Sequence, residues 1–185
     1  MVGRKVTGGM KIQRYIEHEL GPEVLSSIQR LRNACFPDHQ VPRSYGKQLP
    51  HIRFLAHDAD QVVGHLGIDH RVMRFGDRVH SVFGLIDLCV AEDRRSQGIG
   101  SALIDAATKC ATGAGVDLLL LIAHNPRIYT RNGFIGLDAK CSWLRIDEHT
   151  NYGVAVEQLC NELMVKPLSG NLNLSGPVDF LGYMV

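Results

Sequence analysis

Net charge is almost absent from this sequence. Its 20 lysines and arginines are balanced by 19 aspartates and glutamates, which leaves a formal charge of +1 at pH 7. Proteins that bind nucleic acid through its phosphates need a clear excess of basic residues. No nucleic-acid partner is therefore expected, and a small molecule is the more natural ligand.

Paired cysteines and long apolar runs are also missing. The five cysteines are an odd number, widely spaced and without a CxxC pair, and the N-terminus has no secretory pattern. We expect a reduced, cytoplasmic protein with no metal site. The longest apolar run, residues 118–123, is far shorter than the ~20 residues that a membrane span needs, so no membrane segment is expected.

No repeat, low-complexity tract or linker divides the 185 residues. Because this length is ample for one core, we expect a single domain over residues 1–185. Residues 1–9, with three glycines, are expected to form a loose N-terminus. Residues 36–50, with three prolines, are expected to form a long loop on the substrate side.

The apolar pattern predicts an α+β fold with a mixed, mostly antiparallel central sheet and helices on both faces. Turns that contain Asp or Gly separate three strands between residues 52 and 90, which indicates an antiparallel meander. A strand over residues 116–123 has no polar alternation and should be buried on both faces. Other strands are expected at residues 10–16, 134–146 and 163–168, with helices after Gly21, Gly98 and Asn125.

Two glycines separated by one residue stand between an expected strand and an expected helix. In RRSQGIGSAL, residues 94–103, Gly98 and Gly100 open the helix. The first N–H groups of a helix have no internal partner and attract anions, and glycine lets a phosphate approach them closely. Arg94 or Arg95 could add positive charge. The stretch therefore predicts a phosphate-binding turn.

Three nucleotide-binding patterns compete for this turn. A P-loop is excluded, because Gly100 is followed by Ser-Ala and no lysine precedes Lys109. A dinucleotide fingerprint fits poorly, since Leu103 takes the place of a third small residue and Asp117 begins the next strand instead of ending it. The pattern Arg/Gln-x-x-Gly-x-Gly/Ala is matched in full by RSQGIG, residues 95–100.

The context of this hexapeptide resembles a known family. IDLCVAEDRRSQGIGSAL, the buried strand after it and HNPRIYTRNGF resemble, in order and spacing, two motifs of the GCN5-related N-acetyltransferase (GNAT) superfamily. The acetyl-CoA motif corresponds to residues 86–114, the second motif to residues 116–134, and the whole resemblance to about residues 52–146. It implies acetyl-CoA as co-substrate, in a V-shaped gap where two neighbouring parallel strands splay apart.

The resemblance implies that backbone groups hold most of the cofactor. The strand end would pair with the pantetheine arm, and the amides of the turn would hold the pyrophosphate. Asn125 would bind the pantetheine, cap the next helix, or do both. The implied backbone contacts are Leu88, Cys89, Val90, Arg95, Ser96, Gln97, Gly98, Ile99, Gly100 and Ser101.

The resemblance also implies direct attack of an amine on the thioester within a ternary complex. Tyr129, five residues before Phe134, matches the tyrosine of the family that protonates the thiolate or holds the sulfur. Backbone N–H groups near Cys89 or Val90 could polarise the thioester carbonyl. A covalent acyl intermediate on Cys89 is rejected, because no histidine is near it in sequence and free cysteine is commonly a small buried residue.

The general base is harder to assign. Many family members carry a glutamate on the strand before the turn, and Ile86 stands at that position here. Asp87 is our candidate, although strand alternation directs it to the opposite face unless a bulge re-aims it. His70, His80, His124 and a chain of waters stay as alternatives.

A primary amine on a small molecule is the expected acceptor. The element order and C-terminal segment loosely resemble the branch of aminoglycoside 2'-N-acetyltransferases and nodulation acyltransferases. A pocket for an aminoglycoside would need clustered carboxylates, whereas Asp38, Asp69, Asp87 and Asp179 are scattered in sequence. A protein or peptide acetyltransferase and a non-catalytic CoA-binding module are the alternatives. The aromatic C-terminal tail could pack on its own sheet or on that of a partner, which leaves a homodimer open.

Overall fold

The computed structural model describes residues 9–160, 162–170 and 172–185. They form two compact units: residues 9–68 with Ile86–Ala107, and Asp69–Leu85 with Thr108–Val185. Apart from Gly9, the expected loose N-terminus lies outside the described residues. Of the helices in the described part, none has the length and apolarity needed to cross a membrane.

The described residues contain helices and strands in alternating groups. The helices are α1 (Pro22–Cys35), α2 (Ile99–Gly113) and α3 (Arg127–Arg131), and the 3₁₀ turns are Glu17–Glu19, Pro37–His39 and Glu92–Arg94. The strands are β1 (Lys11–Ile16), β2 (Ile52–Asp58), β3 (Gln61–Phe75), β4 (Arg78–Val90), β5 (Leu118–Ile122), β6 (Ile135–Gly136), β7 (Ala139–Asp147), β8 (Thr150–Leu159), β9 (Leu163–Pro167) and β10 (Val178–Tyr183).

Strand pairing confirms the predicted α+β class with a mostly antiparallel sheet. In the first unit, β1 pairs antiparallel with β2, and β2 pairs antiparallel with the first part of β3. In the second unit, the strand order is β6-β9-β5-β4-β3-β10-β7-β8. The parallel pairs are β4 with β5 and β10 with β7. The structure adds β8 and β10, two strands that the sequence did not predict.

The parallel pairing of β4 with β5 is short. It joins Val82, Phe83 and Gly84 to Leu118, Leu119 and Leu120 and ends there, although both strands continue. An early end of pairing is what two splaying parallel strands require. β5 is also buried as predicted, since its four leucines are at most 2% exposed.

The start of α2 lies directly on β3 in the first unit. A Cβ atom at Gly64 would come within 2.9 Å of Ile99 Cγ2 and 3.1 Å of Leu103 Cδ1. Both side chains are buried, with exposures of 1% and 0%. Glycine at position 64 therefore lets the first turns of α2 approach the sheet closely.

Residues 36–50 are irregular apart from one 3₁₀ turn, as predicted for a loop. The loop is nevertheless held tightly by its own unit. Asn33 Nδ2 donates to Val41 O at 2.9 Å, and Val41 N donates back to Asn33 Oδ1 at 3.2 Å. Ser44 is buried, with an exposure of 7%.

The C-terminal tail packs on its own sheet as β10. Phe180 is fully buried, and its ring meets that of Trp143 edge-on at a centroid distance of 6.4 Å. Val178 and Phe180 join one apolar cluster with residues of β3, β4, β5, β7 and β9. The tail thus completes the core of the second unit.

Candidate active site

The turn between β4 and α2 has a backbone that only a few residue types adopt easily. Gly98 has a φ of +85°, and a Cβ atom there would meet no atom within 4 Å. Ser96, two residues earlier, has a φ of +62°. Glycine is therefore needed at position 98 for its conformation, and the space beside its backbone is open to a ligand.

Internal hydrogen bonds occupy part of this turn. Arg95 N donates to Glu92 O at 3.2 Å, so this predicted pyrophosphate donor already has an acceptor inside the protein. The amides that follow it lie at the start of α2, where helical N–H groups have no helical acceptor. The side chain of Gln97 donates to Asp93 O at 3.3 Å and closes the turn.

The two arginines of the turn have different partners. Arg94 makes ion pairs with Asp58 at 3.1 Å and with Asp93 at 2.9 Å. Arg95 Nε donates to Val90 O at 3.3 Å, and its Nη2 lies 3.9 Å from Cys35 Sγ. Since Arg94 is neutralised by two carboxylates, Arg95 is the better placed of the two to attract an anion.

Asp87 interrupts the regular alternation of β4. Its φ is +50°, a left-handed value that departs from strand geometry at this one residue, and we call this departure the kink in β4. The carboxylate is paired, because Arg32 Nε donates to Asp87 Oδ2 at 2.8 Å. The same residue uses its backbone, since Asp87 O lies 2.9 Å from His65 Nδ1. The candidate base is thus held at two points.

A buried polar network that sequence reasoning missed continues from Asp87. His65 and Arg53 are 1% and 0% exposed, and Arg53 Nη1 lies 3.1 Å from His65 Nε2. Arg53 also donates to both carboxylate oxygens of Glu17 and, at 2.8 Å, to Ser44 O. The signal in the sequence was one charged residue inside the apolar stretch of residues 52–56 and one histidine inside the apolar stretch of residues 62–68.

Burial lowers the pKa of His65 to about 4, and the positive charge of Arg53 acts in the same direction. A buried group resists ionisation because the protein solvates charge less well than water does. His65 is therefore neutral at neutral pH.

Cys89 lies beside a second cysteine, Cys35 of α1. The pKa of Cys35 is lowered to about 6, chiefly because the Cys89 thiol donates a hydrogen bond to it, with a further contribution from Arg95. The pKa of Cys89 is raised well above its usual value by the same hydrogen bond and by burial. Cys89 thus keeps its proton, which agrees with its exclusion as a nucleophile.

Tyr129 and Asn125 lie in the second unit. Burial raises the pKa of Tyr129 to about 12, so its hydroxyl keeps its proton, and the ring meets Phe134 edge-on at 5.9 Å. The N-cap of α3 is Pro126, one residue later than predicted. Asn125 still performs a capping contact, because Arg127 N donates to Asn125 Oδ1 at 3.3 Å.

The alternative bases also lie in the second unit. His70 Nε2 is 3.2 Å from Ser81 Oγ, and its ring packs against Phe83. His80 is 8% exposed, whereas the side chain of His124 is 89% exposed. His124 thus lies in solvent, and His80 is the most buried of the three.

Three of the four carboxylates considered for an aminoglycoside pocket are engaged by arginine. Asp87 pairs with Arg32, Asp179 with Arg74 at 2.8 Å, and Asp69 with Arg71. Among the residues that the structure describes, no group of three or more His, Cys, Asp or Glu side chains could hold a metal ion.

Residues 50–135 match the family model of the acetyltransferase (GNAT) domain. The matched region includes the β4 segment, the turn with Gly98, α2 and Tyr129. These residues form a GNAT acetyltransferase domain. The superfamily expected from the sequence is thereby confirmed. No curated protein matches the chain.

Solved structures of GNAT acetyltransferases share the fold of this chain. A GNAT family N-acetyltransferase from Escherichia coli in complex with CoA is 16% identical, with a TM-score of 0.61 over 95% of this chain and 93% of that one. A GNAT family acetyltransferase from Brucella melitensis in complex with acetyl-CoA is 18% identical, with a TM-score of 0.59 over 91% and 94%. Identities this low establish the fold and leave the substrates open.

Some neighbours are much longer than this chain. The GCN5-related N-acetyltransferase from Kribbella flavida is 17% identical, with a TM-score of 0.54. The match covers 69% of this chain but only 34% of that one, so the chain spans about a third of its length.

Proposed function

We propose that the protein is an acetyl-CoA-dependent N-acetyltransferase that acts on a primary amine of a small molecule. The observation that carries the proposal is the turn at Gly98, which joins β4 to α2 inside the GNAT domain. Its left-handed glycine has open space beside it, and the helix that follows presents its first amides. An anionic pyrophosphate fits such a helix start, and Arg95 adds positive charge.

The backbone of the last three residues of β4 is proposed to bind the pantetheine arm of CoA. Leu88, Cys89 and Val90 follow the kink at Asp87 and lie beyond the last residue that pairs with β5. Backbone groups of a strand that has lost its neighbour can pair with an extended ligand, as in strand addition. The amide-containing pantetheine arm is such a ligand.

The proposed reaction joins the amine nitrogen to the thioester carbonyl carbon and breaks the C–S bond. The leaving thiolate takes a proton from the Tyr129 hydroxyl, which remains a phenol at neutral pH because its pKa is raised to about 12. The amine gives up a proton to Asp87, directly or through water. Arg32 is bound to Asp87 Oδ2, so Oδ1 is the oxygen proposed to receive it.

The paired carboxylates favour an acceptor with a single amine. An aminoglycoside carries several ammonium groups, and each would need a carboxylate or other acceptor. Asp69 and Asp179 are already bound to arginines, and Asp87, which is bound to Arg32 through Oδ2, offers Oδ1 to the one reacting amine. A monoamine makes no such demand.

A free-thiol release assay with acetyl-CoA and a panel of amines tests the proposal. The panel contains monoamines, polyamines, aminoglycosides, amino acids and peptides, with CoA affinity measured in parallel by calorimetry. We expect thiol release with a small monoamine and little with aminoglycosides. Release with peptides alone would support a peptide acetyltransferase instead.

A CoA-binding module without catalysis is the second candidate, because Ile86 stands where many family members carry a glutamate. In that case the protein would bind CoA and release no thiol with any amine. Absence of CoA binding would reject both candidates.

A further inference from the structure

We infer that His65 and Arg53 are positioning residues that set the direction of the CoA-binding end of β4. The inference rests on the proposed function. Its basis is a continuous chain of contacts: Glu17 binds Arg53, Arg53 Nη1 lies 3.1 Å from His65 Nε2, and His65 Nδ1 lies 2.9 Å from Asp87 O.

The donors in this chain determine which nitrogen of His65 carries the proton. An arginine guanidinium donates hydrogen bonds and cannot accept them. Nε2 of His65 must therefore accept from Arg53, which leaves the proton on Nδ1. Nδ1–H then donates to the carbonyl of Asp87. Both ring nitrogens are used, and only the neutral tautomer with hydrogen on Nδ1 satisfies both contacts.

The carbonyl that His65 holds belongs to a strained residue. Asp87 has a φ of +50°, a value that costs energy for residues other than glycine, although less for aspartate than for most, and contacts with its surroundings help to enforce it. Here the enforcement comes from two directions, since His65 binds the carbonyl and Arg32 binds the carboxylate. The orientation of Leu88 and the residues after it follows from this kink.

The same arginines hold the loop of residues 36–50. Arg53 Nη1 donates to Ser44 O at 2.8 Å, and Arg32 Nη1 donates to His39 O at 2.8 Å. The kink and the loop are therefore fixed by one set of charges. Well-packed apolar residues can hold a sheet together as stably as buried ion pairs, so stability alone does not explain charged residues at these positions.

Two amide substitutions at His65 separate the positioning role from packing. The side-chain nitrogen of asparagine can occupy the place of Nδ1, so His65→Asn keeps a donor for Asp87 O. Glutamine places its amide near the position that Nε2 of His65 occupies. In His65→Gln the amide oxygen can therefore still accept from Arg53, whereas the donor to Asp87 O is lost. His57→Leu is the control, because His57 lies on β2 in the same unit and contacts Tyr15 instead, at 3.2 Å.

We expect His65→Gln to weaken CoA binding and raise the KM for acetyl-CoA about tenfold, as one lost hydrogen bond would. The KM for the amine should stay the same, because the contact with Arg53 and hence the loop is kept. His65→Asn and His57→Leu should bind CoA within threefold of the wild type. In the wild type, the ¹⁵N shifts of His65 should show the Nδ1–H tautomer at pH 7.

The inference is overturned if His65→Gln, His65→Asn and the wild type bind CoA with equal affinity while thermal melts show that all three are folded. An Nε2–H tautomer overturns it as well, even if a variant fails to fold. A wild type that does not bind CoA refutes the proposed function, and this outcome is distinct from the other two.

Discussion

His65 and Tyr129 are titratable side chains whose pKa values burial moves in opposite directions. The pKa of His65 falls to about 4 and that of Tyr129 rises to about 12. Burial favours the uncharged form in both cases, which is the free base of histidine and the phenol of tyrosine. At neutral pH the neutral imidazole of His65 can accept a hydrogen bond from Arg53, and the phenol of Tyr129 still carries a proton that it can give up.

Replacing Tyr129 with phenylalanine should lower kcat by ~10²–10⁴-fold, the usual contribution of a general acid. The ring and its packing on Phe134 are kept, so CoA affinity and melting temperature should change little. Steady-state kinetics of thiol release measures the effect. Tyr152→Phe, at a residue 63% exposed on β8, is the control. An unchanged kcat in Tyr129→Phe would remove this hydroxyl from the mechanism.

His65 should make the protein less stable in acid. Its pKa is about 4 in the folded state against 6.5 for an unperturbed histidine, so below pH 6.5 the unfolded chain binds a proton that the folded protein does not. The stabilisation is present above pH 6.5 and is lost as the pH falls to 4, by about 3 kcal/mol. Guanidinium unfolding at pH 7 and pH 4 of wild type and His65→Asn measures it. Equal pH dependence of the two proteins would contradict this prediction.

At the scale of elements, the strand-turn-helix segment shows what its sequence could predict. Gly98 was identified because glycine spacing has a direct conformational meaning. The kink at Asp87 was not predicted, because the residue sits among apolar strand formers and an aspartate in a strand usually has ordinary strand geometry. Contacts from Arg32 and His65 hold the left-handed value, and both come from other elements.

Gly98→Val should weaken CoA binding by at least tenfold, because the side chain both strains the left-handed backbone and fills the space beside the turn. Gly153→Val is a matched control, since Gly153 has a φ of +87°, equally open surroundings and a place on β8. Both variants should lose similar stability in thermal melts. Calorimetric titration with CoA measures the affinity, and equal affinities in the two variants would refute a phosphate-binding role for the turn.

Two strands escaped prediction for different reasons. In β8, large apolar residues stand at every second position, at Tyr152, Val154 and Val156, and all three are exposed. Gly153 and the polar start of the strand weaken this strand pattern in the sequence. β10 contains Gly182 and follows a segment rich in Gly, Ser and Asn. Its burial depends on pairing with β3 and β7, which no local pattern encodes.

At the scale of the whole molecule, the sequence predicted local features better than distant pairings. The β2 to β4 meander, α2 and buried β5 were predicted because apolar periodicity is a local property. Arg32 and Asp87 are 55 positions apart, and Arg53 and Glu17 are 36 apart. Single charged residues do not reveal such partners, so the network around His65 needed the three-dimensional structure.

The family match covers only part of this molecule. Residues 50–135 contain the turn and Tyr129, whereas β7 to β10 lie after them. The apolar cluster of the second unit nevertheless includes Cys141, Val178 and Phe180 from those later strands. The matched domain therefore depends on sequence outside it for its own core.

Ionic strength should affect the geometry of the site and its occupancy differently. The geometry depends on the ion pairs of Glu17 with Arg53 and of Asp87 with Arg32. These charges are mostly buried, and each arginine is paired with a carboxylate. Dissolved salt should therefore screen them little, and the kink in β4 should keep its geometry. Arg95 is exposed and would attract a phosphate through solvent. Added salt should therefore reduce occupancy of the site while a bound cofactor keeps the same reactivity.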